Sequence, residues 1–242
     1  MWMYLLMVLL PGLLLSGWAS MLVNSRFKHY SNVPTTRGYT GAQAAQRLLD
    51  AAGIHDVKIV RVNGFLHDHY NPVDKTLALS PEVYDRTSVA AIGVATHEAG
   101  HAIQHATGYY PLQLRSLLVP AVQFGSPLSW FLIMFGSALA GGAGAAGGMS
   151  SALGMVVLLF GILCFGLVVL FQLVTLPVEF NASNRAKQLV LEAGIIGHQE
   201  REGMDKVLNA AALTYVAAFV SSLLTLLYYL WASGLLGNSS ND

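Results

Sequence analysis

The chain has 242 residues, enough for one domain of ordinary size or for a small domain with membrane segments. Thirteen Lys and Arg balance thirteen Asp and Glu, so no basic excess indicates nucleic acid as a partner. Only 11% of residues are charged, against about 25% in soluble domains, and residues 1–25, 116–178 and 207–241 carry no charge at all. This segregation excludes a soluble enzyme and a disordered chain, and it predicts an integral membrane protein.

The first apolar segment, residues 1–23, is long enough to cross a membrane as a helix, which takes about 20 residues. The alternative is a cleaved signal peptide, in which basic residues precede a shorter apolar core. Here no Lys or Arg occurs before Arg26. We therefore predict a retained transmembrane helix.

Residues 24–115 contain most of the charges and predict a folded domain. An Ala-rich amphipathic helix is expected over Gly41–Ala52. Val57–Val62 and Lys75–Leu79 have strand character, which predicts a hairpin or a small sheet, and the residues between them, Phe65–Pro72, predict a polar, aromatic loop. An edge of the Lys75–Leu79 strand could then pair with an extended substrate.

A helix is predicted over Ser88–Thr107, and it carries the motif His-Glu-Ala-Gly-His. An H-E-x-x-H motif on a helix places its two imidazoles one turn apart on the same face, where they can share one Zn²⁺. The intervening carboxylate then lies beside a metal-bound water. The motif makes His97 and His101 candidate zinc ligands and Glu98 a candidate general base.

A zinc hydrolase takes three protein ligands and keeps the fourth position for water, so a third ligand is needed. His105 continues the spacing, but it is about 12 Å along the helix axis from His97, too far to share an ion. Glu179 lies two residues past Pro177, just after the third apolar segment, where it would occupy the first turn of a helix. A first-turn carboxylate is equally well explained by the helix dipole, so position alone leaves this ligand open.

Three further apolar segments predict transmembrane helices: 119–140, 153–176 and 213–236. The Gly/Ala tract Gly141–Gly148 predicts a short turn, and residues 179–208 a helical segment. All thirteen cationic residues lie in 24–115 and 179–208. With four spans these two segments share one side, which the positive-inside rule places in the cytoplasm. We therefore predict a multi-pass protein of the cell membrane with both termini outside.

Three separate motifs carry a family resemblance: Phe65–His105, LPVEFNASNRA at Leu176–Ala186, and ALTYVAAFVSSLL at Ala212–Leu224. Together they make most of the chain from about residue 20 onward resemble the YugP-type neutral zinc metallopeptidases of bacteria. More remotely, H-E-x-x-H followed by a helical Glu resembles the gluzincin membrane proteases, such as the HtpX-like and CaaX-processing enzymes. We expect a mainly α fold, with four transmembrane helices and a cytoplasmic, zincin-like helical domain carrying a small hairpin or sheet.

The resemblance implies one zinc ion per chain, bound by His97, His101 and Glu179, with Glu98 as the general base. Three residues depart from the patterns. Asn71 and Asn181 stand where the YugP-type sequences have Asp, and Ser183 ends the gluzincin E-x-x-x-D pattern. No ligand is lost, but the role of the missing carboxylates is left open. The candidates for contacts to the substrate or the transition state are His69, Tyr70 and Arg185.

The predicted function is a membrane-embedded zinc endopeptidase that cleaves peptide bonds at the cytoplasmic membrane surface, in processing or quality control of membrane proteins. Its partners would be a peptide or membrane-protein substrate and the lipid bilayer, and its oligomeric state is open. One alternative is an inactive metalloprotease-like scaffold. Another is an intramembrane site-2-type protease, which the lack of ionisable ligands inside the uncharged segments disfavours.

Overall fold

The computed structural model describes residues 2–64, 67–142 and 149–236. These residues form seven helices and three short strands. In chain order they are α1 (Trp2–Tyr30, with a π-helical stretch at Leu5–Leu9), α2 (Gly41–Ala51), β1 (Lys58–Arg61), β2 (His69–Asn71), β3 (Thr76–Leu79), α3 (Pro81–Tyr84), α4 (Val89–Ala106), α5 (Tyr110–Gly142), α6 (Met149–Glu192) and α7 (His198–Ala232). The mainly helical fold with a small sheet is confirmed.

Four helices are long and apolar enough to cross a membrane, judged by length and composition: Trp2–Tyr30, Tyr110–Gly141, Ala152–Glu192 and His198–Ala232. The predicted set of four candidate spans is thereby confirmed. Each helix is longer than the apolar segment that predicted it. Residues 143–148 of the Gly/Ala tract lie outside the described residues.

The chain divides into two compact units, the first formed by Met1–Ser16, Leu114–Thr175 and Val216–Asp242. Within it, α5 and α6 pack closely at Gly136. A Cβ atom at this position would lie only 2.4 Å from the backbone nitrogen of Leu158, so the contact requires glycine. Small residues that let two backbones approach are typical of helix pairs in membranes.

The second unit comprises Gly17–Gln113 and Leu176–Tyr215 and has the larger core. Its central element is α4, which begins at the N-cap Ser88, whose hydroxyl accepts the Ala91 N–H, and is buried along most of its length. Leu48 of α2 and Leu77 of β3 are among the fully buried residues of the core around it. Burial of this apolar surface fixes α4 as a rigid platform.

The predicted hairpin or small sheet is a three-stranded sheet. Its order is β1-β3-β2, with β1 parallel and β2 antiparallel to β3. The predicted loop Phe65–Pro72 contains the three-residue strand β2. This strand pairs with one edge of β3, and β1 pairs with the opposite edge of β3. Since both edges of β3 are paired within the sheet, the expectation that this strand offers a free edge to substrate is wrong.

Helix α6 also departs from expectation, because it continues through Pro177 where a new helix was predicted to begin. Proline removes one backbone donor, a loss that packing against neighbouring helices can offset. Val178 and Ala182, on either side of Glu179, are fully buried. Glu179 therefore lies inside a long helix and is not a first-turn residue.

Gly100 permits a close contact between α4 and α6. A Cβ built on Gly100 would lie 2.6 Å from the carbonyl oxygen of Ala182, a backbone atom that cannot move aside alone. Gly93, on the same helix, is different: its nearest neighbour would be the flexible side chain of Met204, at 3.3 Å.

We therefore expect Gly100→Ala to destabilise the protein by about 1–3 kcal/mol, the usual effect of overpacking, although Ala is the better helix former. Thermal unfolding of the purified protein in detergent measures this. Gly93→Ala is the matched control and should be neutral or stabilising by up to about 1 kcal/mol. Equal stability of the two variants would contradict the role given to Gly100.

Candidate metal centre

Three of the predicted site residues meet in the second unit. His97 and His101 project from successive turns of α4, and Glu179 faces them from α6. The Oε2 atom of Glu179 is 3.3 Å from Nε2 of His97 and 3.5 Å from Nε2 of His101. All three potential donor atoms lie within 4.8 Å of one another. The fold thus brings Glu179 within reach of both imidazoles and makes it a candidate third donor on geometry as well as on position.

The group suits a zinc ion in both chemistry and spacing. Zinc binds imidazole nitrogen and carboxylate oxygen at about 2.0–2.2 Å, and the edge of a tetrahedron with such bonds is about 3.3–3.5 Å. The two nitrogen–oxygen distances match that edge. Three protein donors leave one tetrahedral position for water or substrate, as in catalytic sites.

Gln104 orients His101, and sequence analysis did not identify it. Nδ1 of His101 lies 3.0 Å from Oε1 of Gln104. The Gln104 amide nitrogen donates to the carbonyl of Val178 at 2.8 Å and to Oδ1 of Asn181 at 3.0 Å, so its oxygen must face the imidazole. Because an amide oxygen only accepts, Nδ1 donates to it, and Nε2 is left facing Glu179 as the ring nitrogen that can bind a metal ion. The i, i+3 spacing of His101 and Gln104 was the available signal.

The three departures from the family patterns have structural counterparts. Ser183 Oγ lies 3.0 Å from Nδ1 of His97, so a hydroxyl makes the contact there. Oδ1 of Asn181 also accepts a hydrogen bond from Nε of Arg185, at 2.8 Å. Asn71 accepts the backbone N–H of Val73 in the β2–β3 turn, at 3.0 Å. Each position supplies a hydrogen-bonding oxygen without a negative charge.

Negative charge surrounds the imidazoles. Burial lowers the pKa of His101, but the hydrogen bond to Glu179 and the charges of Glu98 and Glu179 outweigh burial, so this pKa lies above its ordinary value. The neighbouring carboxylates therefore favour a positively charged His101 imidazole.

Glu98 lines a cavity of about 290 Å³ together with His97, Glu179 and Asp68. Only 9% of Glu98 is exposed. Asp68 accepts hydrogen bonds from the backbone N–H of Ser80, at 2.7 Å, and from its hydroxyl, at 3.0 Å. Burial raises the pKa of Asp68, the Ser80 hydrogen bonds oppose that rise, and the charge of Glu98 adds to it.

The other predicted contact residues lie elsewhere. The described lining of the Glu98 cavity includes none of His69, Tyr70 and Arg185. His69 is exposed, and its Nδ1 lies 2.8 Å from the carbonyl oxygen of His67. Arg185 binds Asn181 and lies over the ring of Tyr109, 6.0 Å from its centroid.

Tyr70 and His105 form a separate pair. The Tyr70 hydroxyl lies 2.9 Å from Nδ1 of His105, and both line another cavity, of about 340 Å³. Burial raises the pKa of Tyr70 to about 12. His105 is not part of the group formed by His97, His101 and Glu179.

Gln104→Leu should weaken zinc binding by about 10- to 100-fold, the usual effect of losing a partner that orients a ligand. Leucine leaves the Nδ1 proton of His101 without its acceptor, so the ring loses its fixed direction. Competition with a chelator of known affinity measures the change. Gln188→Leu, at an exposed position of α6, should bind zinc like the wild type. Equal affinity of both variants would exclude an orienting role for Gln104.

The four long apolar helices and the His–His–Glu group define the class, a membrane protein with the donor set of a zinc hydrolase. The chain matches the family model described as "Putative neutral zinc metallopeptidase" over residues 4–234, and it belongs to that family. It is 44% identical over 227 residues to "Putative membrane protease YugP" of Bacillus subtilis (strain 168), an alignment that covers 94% of this chain and 95% of that protein. No solved structure matches the chain.

Proposed function

We propose that this protein is a zinc-dependent endopeptidase that hydrolyses peptide bonds at the cytoplasmic surface of the cell membrane. The observation that carries the proposal is the convergence of His97, His101 and Glu179 beside Glu98, which lines a cavity with two of them. Membership of a metallopeptidase family supports the same reaction.

In this proposal His97, His101 and Glu179 hold one zinc ion per chain. The bound ion would polarise the scissile carbonyl and lower the pKa of its water toward about 7. Gln104 and Ser183 contact the Nδ1 atoms of the two imidazoles and would keep the Nε2 atoms available to the ion.

Glu98 acts as the general base. It follows His97 on α4, and its carboxylate lines the cavity that the substrate would enter. It takes a proton from the attacking water and passes it to the nitrogen of the leaving amine as the C–N bond breaks. One proton is taken up and one is released, so Glu98 returns to its starting state.

The location rests on the charge pattern. The uncharged segment 116–178 ends directly before Glu179, and all the cationic residues lie in 24–115 and 179–208. We infer that these two segments are cytoplasmic, that the termini are outside, and that the metal centre lies close to the lipid headgroups. Such a site favours membrane proteins with unfolded cytoplasmic loops or ends, because an extended backbone must reach the metal.

The test uses purified protein in liposomes and a membrane-protein substrate with an unfolded cytoplasmic tail. We expect cleavage within the tail, and no cleavage when a tightly folded domain replaces it. Glu98→Gln serves as the inactive control. Cleavage in the middle of the substrate's transmembrane helix would exclude a surface site and support the intramembrane alternative.

Sidedness is tested by single cysteines introduced at Ser31 and Gln199, in a background that lacks Cys164, the buried native thiol. Both should react with an impermeant reagent in inverted vesicles and remain unlabelled in right-side-out vesicles. Labelling of the two positions from opposite faces would contradict the four-span topology.

A further inference from the structure

The Glu98 cavity has a mostly apolar wall. Most of its polar lining comes from α4, α6 and the loop of Asp68, whereas α1 and α7 contribute aliphatic and aromatic side chains and one threonine, Thr214. The apolar lining includes Val23, Phe27, Val94, Val207 and Leu208, of which Phe27 is 5% and Leu208 2% exposed. The metal-binding group and the general base therefore open onto an apolar surface.

The wall is made by helical spacing. Val23 and Phe27 are four residues apart on α1, and Val207, Ala211 and Tyr215 are four apart on α7. Residues at this spacing form one stripe of a helix. Because each stripe comes from one face of a helix in the second unit, the wall has a fixed shape and is suited to select among side chains by size.

We propose that this cavity is the subsite that receives a large apolar side chain of the peptide, from a residue adjoining the scissile bond. This inference rests on the proposed function and names its substrate class. A pocket for a complete small-molecule ligand typically has about 300–1,000 Å³. The cavity has about 290 Å³ and includes the catalytic group itself, so it suits one Leu- or Phe-sized side chain with its backbone.

Charge disfavours polar side chains in the same place. An acidic side chain would meet the carboxylates of Glu98 and Asp68, which line the cavity. A basic side chain would lose its hydration against the apolar wall. Asp68 is held in place by Ser80, whose backbone N–H and hydroxyl its carboxylate accepts, so it is not free to follow a basic side chain into the cavity.

The test compares peptides that differ only at the residues flanking the cleaved bond, with Phe, Leu, Ala, Asp or Lys at each position in turn. The wild type should prefer Leu or Phe to Ala, Asp and Lys at one of them by about 10- to 100-fold in kcat/KM. Binding of the same peptides to Glu98→Gln, measured by fluorescence anisotropy, should show the same order of preference without hydrolysis.

Ala211→Leu narrows the cavity and should lower kcat/KM for the Phe peptide by at least about tenfold, while the Ala peptide changes less than about twofold. Ala218→Leu is the matched control, since Ala218 is half-buried on the same helix and outside the described cavity lining. It should keep the wild-type preference. Both variants should retain zinc, and Ala211→Val provides a milder narrowing should the Leu variant fold poorly.

Two outcomes separate this inference from the proposed function. Hydrolysis with no side-chain preference, or with a preference for Lys, overturns the subsite and leaves the peptidase intact. An apolar preference in binding, with no hydrolysis by the zinc-loaded wild type, supports a pocket for an apolar side chain and overturns the peptidase. A preference that Ala211→Leu and Ala218→Leu change equally, or a co-purified lipid that blocks every peptide, also excludes the subsite.

Discussion

Glu98→Gln should lower peptide hydrolysis by about 10²- to 10⁴-fold while the protein keeps one zinc ion per chain. Glutamine has the shape of the carboxylate but cannot accept the proton of the attacking water. It leaves both imidazoles and Glu179 in place, so metal binding should survive. Initial rates on an unfolded tail, with zinc measured by mass spectrometry on the same sample, provide both quantities.

Glu82→Gln is the matched control for this prediction. Glu82 lies on the short helix α3 with its side chain exposed, so the same substitution there should change neither rate nor zinc content. Hydrolysis by Glu98→Gln at the wild-type rate would remove Glu98 from the mechanism. A wild type that binds zinc and hydrolyses nothing would favour the inactive scaffold.

Glu179→Ala should weaken zinc binding by more than about 100-fold, beyond the effect of losing an orienting partner. The substitution removes one of three candidate donors and the one that carries a negative charge, so two neutral imidazoles remain to hold the ion. Zinc content after dialysis and affinity by chelator competition both report the loss.

Two control variants test whether the loss of zinc is specific to Glu179. Glu192→Ala removes an exposed carboxylate near the end of the same helix, and His105→Ala removes the imidazole that contacts Tyr70. Both variants should bind zinc like the wild type. Full zinc in Glu179→Ala together with zinc loss in His105→Ala would show that the third donor is His105.

The helices and the paired imidazoles could be predicted because their signals are local. An apolar run, an N-cap and a four-residue spacing are each complete within one or two turns. Glu179 was ambiguous for the opposite reason: its proximity to His97 depends on packing between two helices that are distant in the chain. The resemblance to a known family was what favoured it.

The same limit explains the errors. The residues of Lys75–Leu79 indicate a strand but contain no information on its neighbours, so its parallel pairing with β1 and its antiparallel pairing with β2 could not be predicted from them. Pro177 is a common helix breaker, and only its tertiary surroundings explain why α6 continues. Apart from its spacing from His101, nothing in the sequence distinguishes Gln104 from other polar residues, because its role depends on three hydrogen bonds that form only in the folded protein.

The candidate zinc donors are far apart along the chain, and this determines the order in which they are synthesised. His97 and His101 lie on α4, and Glu179 lies on α6, after the whole of α5. During synthesis both imidazoles leave the ribosome before the helix with the carboxylate exists. A nascent or truncated chain that ends before α6 therefore has the complete H-E-x-x-H motif without the third candidate donor, and the three residues cannot meet until the third candidate span has been synthesised.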